Sequence, residues 1–257
     1  MGNTKSKVVK VVSEVKENQD ELIINKLGMK RFLDSISLSG ENQIKEALIT
    51  IKKDSISALV KSPTNTVALS AVLTGLFNEL GEIGIDDLSL LKSALNIQDK
   101  EEVTIKIKDN KLNICSAKTK ASLLLRGSDY IKNKAKEEDF NKYIESSKGN
   151  EFNLSSEEID RINRVYSLIK SETVTIVSTN GNSVKFIFNK LDNEIETEID
   201  LDSKIEPFKV IVNSYLLIIL NFLEEATLSI KNESGILYIL YKKPDLEIKY
   251  ILSTIGK

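Results

Sequence analysis

The sequence predicts an α+β fold in which one unit of helices and antiparallel strands is written twice. Three observations predict it: an internal repeat, strand-type alternation of apolar residues, and helical apolar stripes at matching places in both halves. The repeat is the strongest of these. IGIDDLSLLKSAL, from Ile83 to Leu95, returns as VIVNSYLLIILNF from Val210 to Phe222, with Ile85 over Val212 and Leu90 over Leu217, 127 residues apart. At or near that offset Leu27 falls on Leu154, ALITIKK falls on TVTIVST, and KASLLL falls on EIKYIL. A chain of 257 residues then divides into two domains of ordinary size, each able to bury its own core. The expected organisation is an N-terminal extension over 1–19, a first domain over 20–130, a connector over 131–150 and a second domain over 151–257.

The extension carries Lys5, Lys7, Lys10 and Lys16 among five valines, a spacing that suits a short amphipathic helix or an added strand equally. Its opening MGNTKS also fits the loose pattern for N-terminal myristoylation, a match that chance supplies often. The first unit reads as a strand over 21–25, then a helix over 27–38 whose apolar side is Met29, Phe32, Leu33 and Ile36. Strands follow from Ala47 through Leu73. Asp86 and Asp87 announce a second helix to Leu95, because their carboxylates can accept from its free amides and oppose its dipole. Two strands then flank the Asp109-Asn110 turn, with Val103, Ile105 and Ile107 facing inward, and Ala121 to Leu125 closes the unit.

From Ser128 to Asn150 the apolar pattern gives way to a charged stretch too long for an ordinary turn. Phe140, Tyr143 and Ile144 lie on one side of a possible helical turn there, which favours a partner-binding role over a solvated spacer. The second unit opens with an N-cap signal at Leu154-Ser155-Ser156-Glu157-Glu158 and continues as a helix over 156–169, with Ile159, Ile162, Val165, Tyr166 and Ile169 buried. A fourth helix is expected over 215–223, and the chain ends on a strand.

Composition excludes several chemistries. The chain has no histidine, which removes His-dependent triads and His/Cys zinc sites and with them most familiar hydrolase chemistry; the expectation is a chain with no catalytic residue and no metal or other cofactor. No glycine-rich phosphate cradle occurs either. The single Cys115 forbids an internal disulfide and reads as a small buried strand residue, which suits a reducing, cytoplasmic setting. The longest apolar run, Tyr215 to Leu223, is far short of the ~20 residues that span a bilayer, so no membrane span is expected. With a net charge of −2, a polyanion would have to be met by a local basic surface.

Two groups of charges are candidates for function. Glu194, Glu196, Glu198 and Asp200 alternate with Ile195, Thr197, Ile199 and Leu201, so the four carboxylates project from one strand face. Solvation is the ordinary reading of such a row; a carboxylate-dependent enzyme is the rival. The helices offer Lys30 and Arg31, with Lys26 just before them, then Lys92, then Arg161 and Arg164 followed by Lys170. On single helices these are ordinary solvated faces. The repeat would place them on one common surface.

In its order of elements, its IGIDDLSLLKSAL and EEVTIKIKDNKLNI segments and its terminal LEIKYILSTI, the chain resembles the DNA sliding clamps of the two-domain type, over about Glu21 to Ile255. The resemblance implies two clamp-type domains per chain, each with two helices packed on antiparallel sheets, assembled head-to-tail as a ring of three copies around double-stranded DNA. It implies a processivity factor that tethers a DNA polymerase and is opened by a clamp loader. The positions facing DNA would be Lys26, Lys30, Arg31, Lys92, Arg161, Arg164 and Lys170, binding phosphates without regard to sequence. Partner peptides would bind Phe140, Tyr143, Ile144, Tyr250, Leu252 and Ile255. A ring serving as an interaction platform in transcription or repair is the alternative. One departure stands out, since Ile219 occupies the place of Lys92 in the second unit. The abundance of Lys, Asn and Ile fits an AT-rich genome and a bacteriophage source.

Overall fold

The structure, a computed structural model, describes residues 21–40 and 43–255; the expected N-terminal extension lies outside the described residues. The first pass of the chain is β1 (Glu21–Asn25), α1 (Lys26–Ser37), β2 (Ala47–Ile51), β3 (Ser55–Lys61), β4 (Val67–Thr74), β5 (Gly81–Ile85), α2 (Leu88–Asn96), β6 (Glu102–Lys108), β7 (Lys111–Cys115) and β8 (Lys120–Leu124). A connecting helix, α3 (Glu137–Ser147), follows. The second pass is β9 (Asn150–Leu154), α4 (Ser156–Ile169), β10 (Thr173–Ser178), β11 (Ser183–Lys190), β12 (Asn193–Asp200), β13 (Phe208–Asn213), α5 (Tyr215–Leu220), β14 (Ala226–Ile230), β15 (Ile236–Lys242) and β16 (Leu246–Ser253). Element for element, the second pass repeats the first. The fold is α+β, with every strand pairing antiparallel.

Pairing sorts the strands into three sheets, in the orders β1-β6-β7-β8, β12-β11-β10-β13 and β5-β2-β3-β4-β16-β15-β14-β9. The last contains a four-stranded sheet from each half, joined where β4 meets β16 with Leu69 opposite Tyr250 and Val67 opposite Leu252. Period-two alternation directs Val67, Leu69, Ala71 and Leu73 inward, all nearly or fully buried. There α1 packs on β4 and β16, burying Met29, Phe32, Leu33 and Ile36. In the second half α4 packs likewise on β11 and β12. The helices also touch in pairs, α1 with α2 and α4 with α5.

Local chemistry explains the element ends. Asn25 caps α1 by accepting from Gly28 N, and Asp87 caps α2 by accepting from Leu90 N. At α4, Ser155 Oγ accepts from Glu158 N while the Glu158 carboxylate accepts from Ser155 N at 2.7 Å, a reciprocal capping box. Asp109 and Asn110 both take left-handed φ, 52° and 57°, as a two-residue hairpin turn between β6 and β7 requires. Gly84 lies so near the Arg126 carbonyl that a Cβ there would overlap it, and the Arg126 amide donates to Gly84 O at 2.9 Å. That contact joins β5 to the chain leaving β8, and the bridge between Val212 and Thr254 does the same in the second half.

Three expectations need correction. The connector contains more than a helical turn: α3 runs eleven residues and docks on β15 and β16. Cys115 is half-exposed, because it occupies the outward register of β7 opposite the buried Leu112 and Ile114. The fourth helix ends at Leu220, three residues early, although Leu223 is still buried. Among the described residues no helix is long and apolar enough to cross a membrane.

Two substitutions test this account of the core. Ser155→Ala removes the α4 cap and is expected to lower unfolding free energy by about 1 kcal/mol. Phe186→Ala, at a fully buried position of β11, is expected to cost about 3–5 kcal/mol by denaturant titration.

Candidate nucleic-acid and partner interfaces

The cations singled out in the sequence fall into two groups. Lys92 lies 3.3 Å from the Asp34 carboxylate and donates to Ser37 Oγ at 2.9 Å, tying α2 to α1. Lys26 donates to the Gln98 carbonyl at 2.8 Å, tying the start of α1 to the loop after α2. Both are half-buried, which corrects the expectation that they stand open to a partner. Lys30, Arg31, Arg161, Arg164 and Lys170 are exposed, and none makes an ion pair among the described residues. Arg161 reaches the Glu198 carbonyl at 3.5 Å and Arg164 the Asp160 carbonyl at 3.3 Å, interactions that leave both charges uncompensated. Lys170 stands at the left-handed end of α4.

Superposing the buried stripes of α1 and α4, Met29 on Ile159 and Phe32 on Ile162, puts Arg31 on Arg161. The repeat thus sets one arginine at the same place on each long helix. The short helices add little: α2 gives up Lys92 to Asp34, and Ile219 in α5 is fully buried. Ile218 of α5 comes near Gly40 after α1, so the two helix pairs are neighbours. Exposed carboxylates at Glu157 and Asp160 dilute this surface.

The expected peptide site is divided between the two faces of β16. Tyr250 and Leu252 point to the α1 side and are buried, Tyr250 donating its hydroxyl to the Ser35 carbonyl at 3.3 Å. Neither lines a surface, because alternation turns the intervening Ile251 outward instead. There Ile251, Ile236 of β15 and Phe140 of α3 form a small second core, with Leu59, Ala68, Ile144 and Tyr238 packed around it. Phe140 is buried against the sheet, Ile144 is half-buried, and Tyr143 and Ile255 are exposed. Both ends of the connector are anchored. Glu46 accepts from the amides of Lys132 and Asn133, Ala135 N donates to Leu59 O, and Ser229 Oγ donates to the Ser147 carbonyl.

Sequence reading missed the sheet residues under α3. Their signal was the run Ile236-Leu237-Tyr238-Ile239, apolar at successive positions, which a strand covered on both faces requires. The ties of Lys92 to Asp34 and of Arg126 to Asp86 (2.8 Å) join residues distant in sequence and left no pattern.

The carboxylate row on β12 projects outward, as expected. Lys185 of β11 contacts Glu196 at 2.7 Å and Glu198 at 3.7 Å, and its ammonium is held above the usual lysine range, first by the hydrogen bond to Glu196. Among the described residues no group of three or more His, Cys, Asp or Glu is arranged to hold a metal ion.

No protein-family model matches the sequence, and no curated protein matches it. Solved structures do match. A proliferating cellular nuclear antigen from Entamoeba histolytica superposes with a TM-score of 0.74 at 15% identity, over 93% of this chain and 99% of that one. A structure of the C-terminal region of FEN-1 bound to A. fulgidus PCNA gives 0.74 at 13% identity, again over 93% and 99%. A putative DNA polymerase III beta subunit from Eubacterium rectale gives 0.71 at 13% identity, over 93% of this chain but 66% of that one. The chain has the sliding-clamp fold.

Burial, then the nearby Glu247 and Glu151, push Tyr238 beneath α3 up to about 12. Its folded pKa lies above the unfolded value near 10, so its share of stability is complete below pH 10 and is lost as pH rises through 12. Unfolding titrations across that window should show the wild type losing more stability than Tyr238→Phe.

Proposed function

We propose that this chain is the subunit of a sliding clamp, a closed ring of three copies that encircles duplex DNA and tethers a DNA polymerase to its template. The observation that carries this reading is a repeated unit of paired helices on antiparallel sheets, matched to clamp structures over 93% of the chain. In this reading the domains are 20–130 and 151–257, with 131–150 between them, and three copies supply six units around the hole. A separate ATP-driven loader opens the ring, and the chain itself is a scaffold without catalysis.

Lys30, Arg31, Arg161, Arg164 and Lys170 meet phosphate in this arrangement, while Lys26 and Lys92 hold the helices that carry them. A ring retained by topology has to translate, so few cations among carboxylates serve it better than a tight basic groove. Partner segments dock along the exposed edge of α3 at Tyr143 and Ile144, together with Ile255. Phe140, Tyr250 and Leu252 support that site from beneath. The structure of the C-terminal region of FEN-1 bound to A. fulgidus PCNA supports a terminal region of a partner protein as the occupant.

Polymerase extension on long primed template, with and without the chain and a loader, tests the reading. Longer products are expected only when both are present; unchanged product length would favour a platform with no polymerase role. Replacing Lys30, Arg31, Arg161 and Arg164 by Ala should abolish retention on circular duplex DNA with oligomer mass unchanged. The same replacement should reduce the slope of log affinity against log salt by about 1 for each phosphate no longer neutralised. Tyr143→Ala with Ile144→Ala should weaken polymerase-peptide binding by roughly tenfold or more by calorimetry.

A further inference from the structure

The two halves differ in chemistry at one place where the repeat makes them comparable. At the foot of α1 a cavity of about 420 Å³ opens between the first helical turn and the chain leaving β4, with Leu27, Arg31, Leu73, Phe77 and Asp245 on its wall. Leu27 faces away from the buried stripe of α1 and is 57% exposed, and Leu76, beside Phe77 in the chain, is 95% exposed. The loop that carries Leu76 is tied down. Gly75 N donates to the Asp54 carbonyl at 3.0 Å, Phe77 N donates to the Lys53 carbonyl at 2.9 Å, and Asn78 Nδ2 donates to the Glu21 carbonyl of β1. A Cβ on Gly75 would overlap the Phe77 ring, so the ring is folded back closely on the turn.

The second half is the internal control. Setting the cap Asn25 on Ser155, with the buried stripes of α1 and α4 superposed, puts Leu27 on Glu157. Setting the pair Ser55 and Thr74 on the pair Ser183 and Asp200 puts β4 on β12, so that Leu76 falls on Asp202 and Phe77 on Ser203. The cavity at the foot of α4 is accordingly polar, with Glu158, Asp200, Asp202 and Ser203 on its wall. At each of the three matched positions the first half has an apolar residue and the second a polar one. The halves differ also in what precedes them. Strand β9 follows α3 after two residues, whereas β1 is preceded by residues 1–20, which carry Val8, Val9, Val11, Val12 and Val15.

We propose that residues 8–15 of the same chain lie over Leu27, Leu76 and Phe77, their valines filling the cavity at the foot of α1. Leucines that present apolar surface to water on an anchored loop mark a site of contact, and five valines within eight positions supply the cover. The tether is long enough. Six residues from Val15 to Glu21 span up to ~20 Å, while β1 from Glu21 to Asn25 covers about 13 Å at ~3.3 Å per residue. So short a tether also gives an effective concentration in the millimolar range, which favours the chain's own segment over that of another copy. Charge agrees with this placement. Lys7, Lys10 and Lys16 flank or interrupt the valines, and Asp245 on the cavity wall and Glu79 just beyond Phe77 are exposed, with no ion pair among the described residues. Nothing in this docking depends on the number of copies in the assembly.

The full chain has no tryptophan, so Val12→Trp introduces a single fluorescent reporter, and Val15→Trp repeats the reading nearer the tether. Emission is expected to lie to the blue of a solvent-exposed tryptophan, to resist quenching by acrylamide and to be independent of protein concentration. Leu27→Glu with Leu76→Asp, which writes the second half's residues into the first, should return emission and quenching to those of a solvent-exposed tryptophan. Leu76→Asp alone, at a loop position that contributes almost nothing to the core, leaves the fold intact and should remove part of the blue shift. Solvent-exposed emission from both reporters before either substitution would overturn the docking. A blue shift that survives the paired substitution would overturn this site, and one that grows with protein concentration would identify a second copy as the occupant and overturn docking within the chain.

Discussion

The antiparallel pairing of β4 with β16 is the interaction on which the rest of the molecule depends. It turns two four-stranded sheets into one of eight, and it buries Tyr250 against α1 on one side and Ile251 against α3 on the other. A strand with both faces covered cannot move without exposing two apolar surfaces at once. At about 25 cal/mol per Å² of apolar area, each large side chain on it represents about 1.5–3 kcal/mol of burial. The junction therefore sets the relation between the halves rigidly, and with it the relation between the helix pairs.

Electrostatics is arranged with comparable economy. Of the seven cations singled out on or beside α1, α2 and α4, Lys26 and Lys92 are used within the chain and the other five stand exposed. Their carboxylate neighbours, Glu157 and Asp160 among them, keep the field weak. The outer face of β12 carries the opposite sign, with Glu194, Glu196, Glu198 and Asp200 exposed along it.

The connector has two parts to play in this structure. Its anchors at Glu46, Leu59 and Ser229 hold α3 across the junction, and Phe140 closes the second core. What remains exposed is a narrow margin with Tyr143 on the helix and Ile255 at the end of the chain. The buried part of the connector holds the exposed part in place.

Much of this was legible in the sequence, because repetition and periodicity are local properties. The repeat announced two equivalent units, alternation of apolar residues marked most strands, and Ser155 with Glu158 marked the start of α4 within a residue. Burial of Met29, Phe32 and Ile36 followed from helical spacing alone. What the sequence could not decide is which long-range partner a residue finds. Lys92 is indistinguishable from Lys30 until the fold brings Asp34 beside it, and Tyr250 is indistinguishable from Ile251 until the sheet assigns them opposite faces. Pairing between β4 and β16 is likewise invisible, since hydrogen-bonded edges are made of backbone, which every residue shares. Side-chain pattern determined the elements and their buried sides; the meeting of strands distant in sequence decided the faces, the ties and the surface left open.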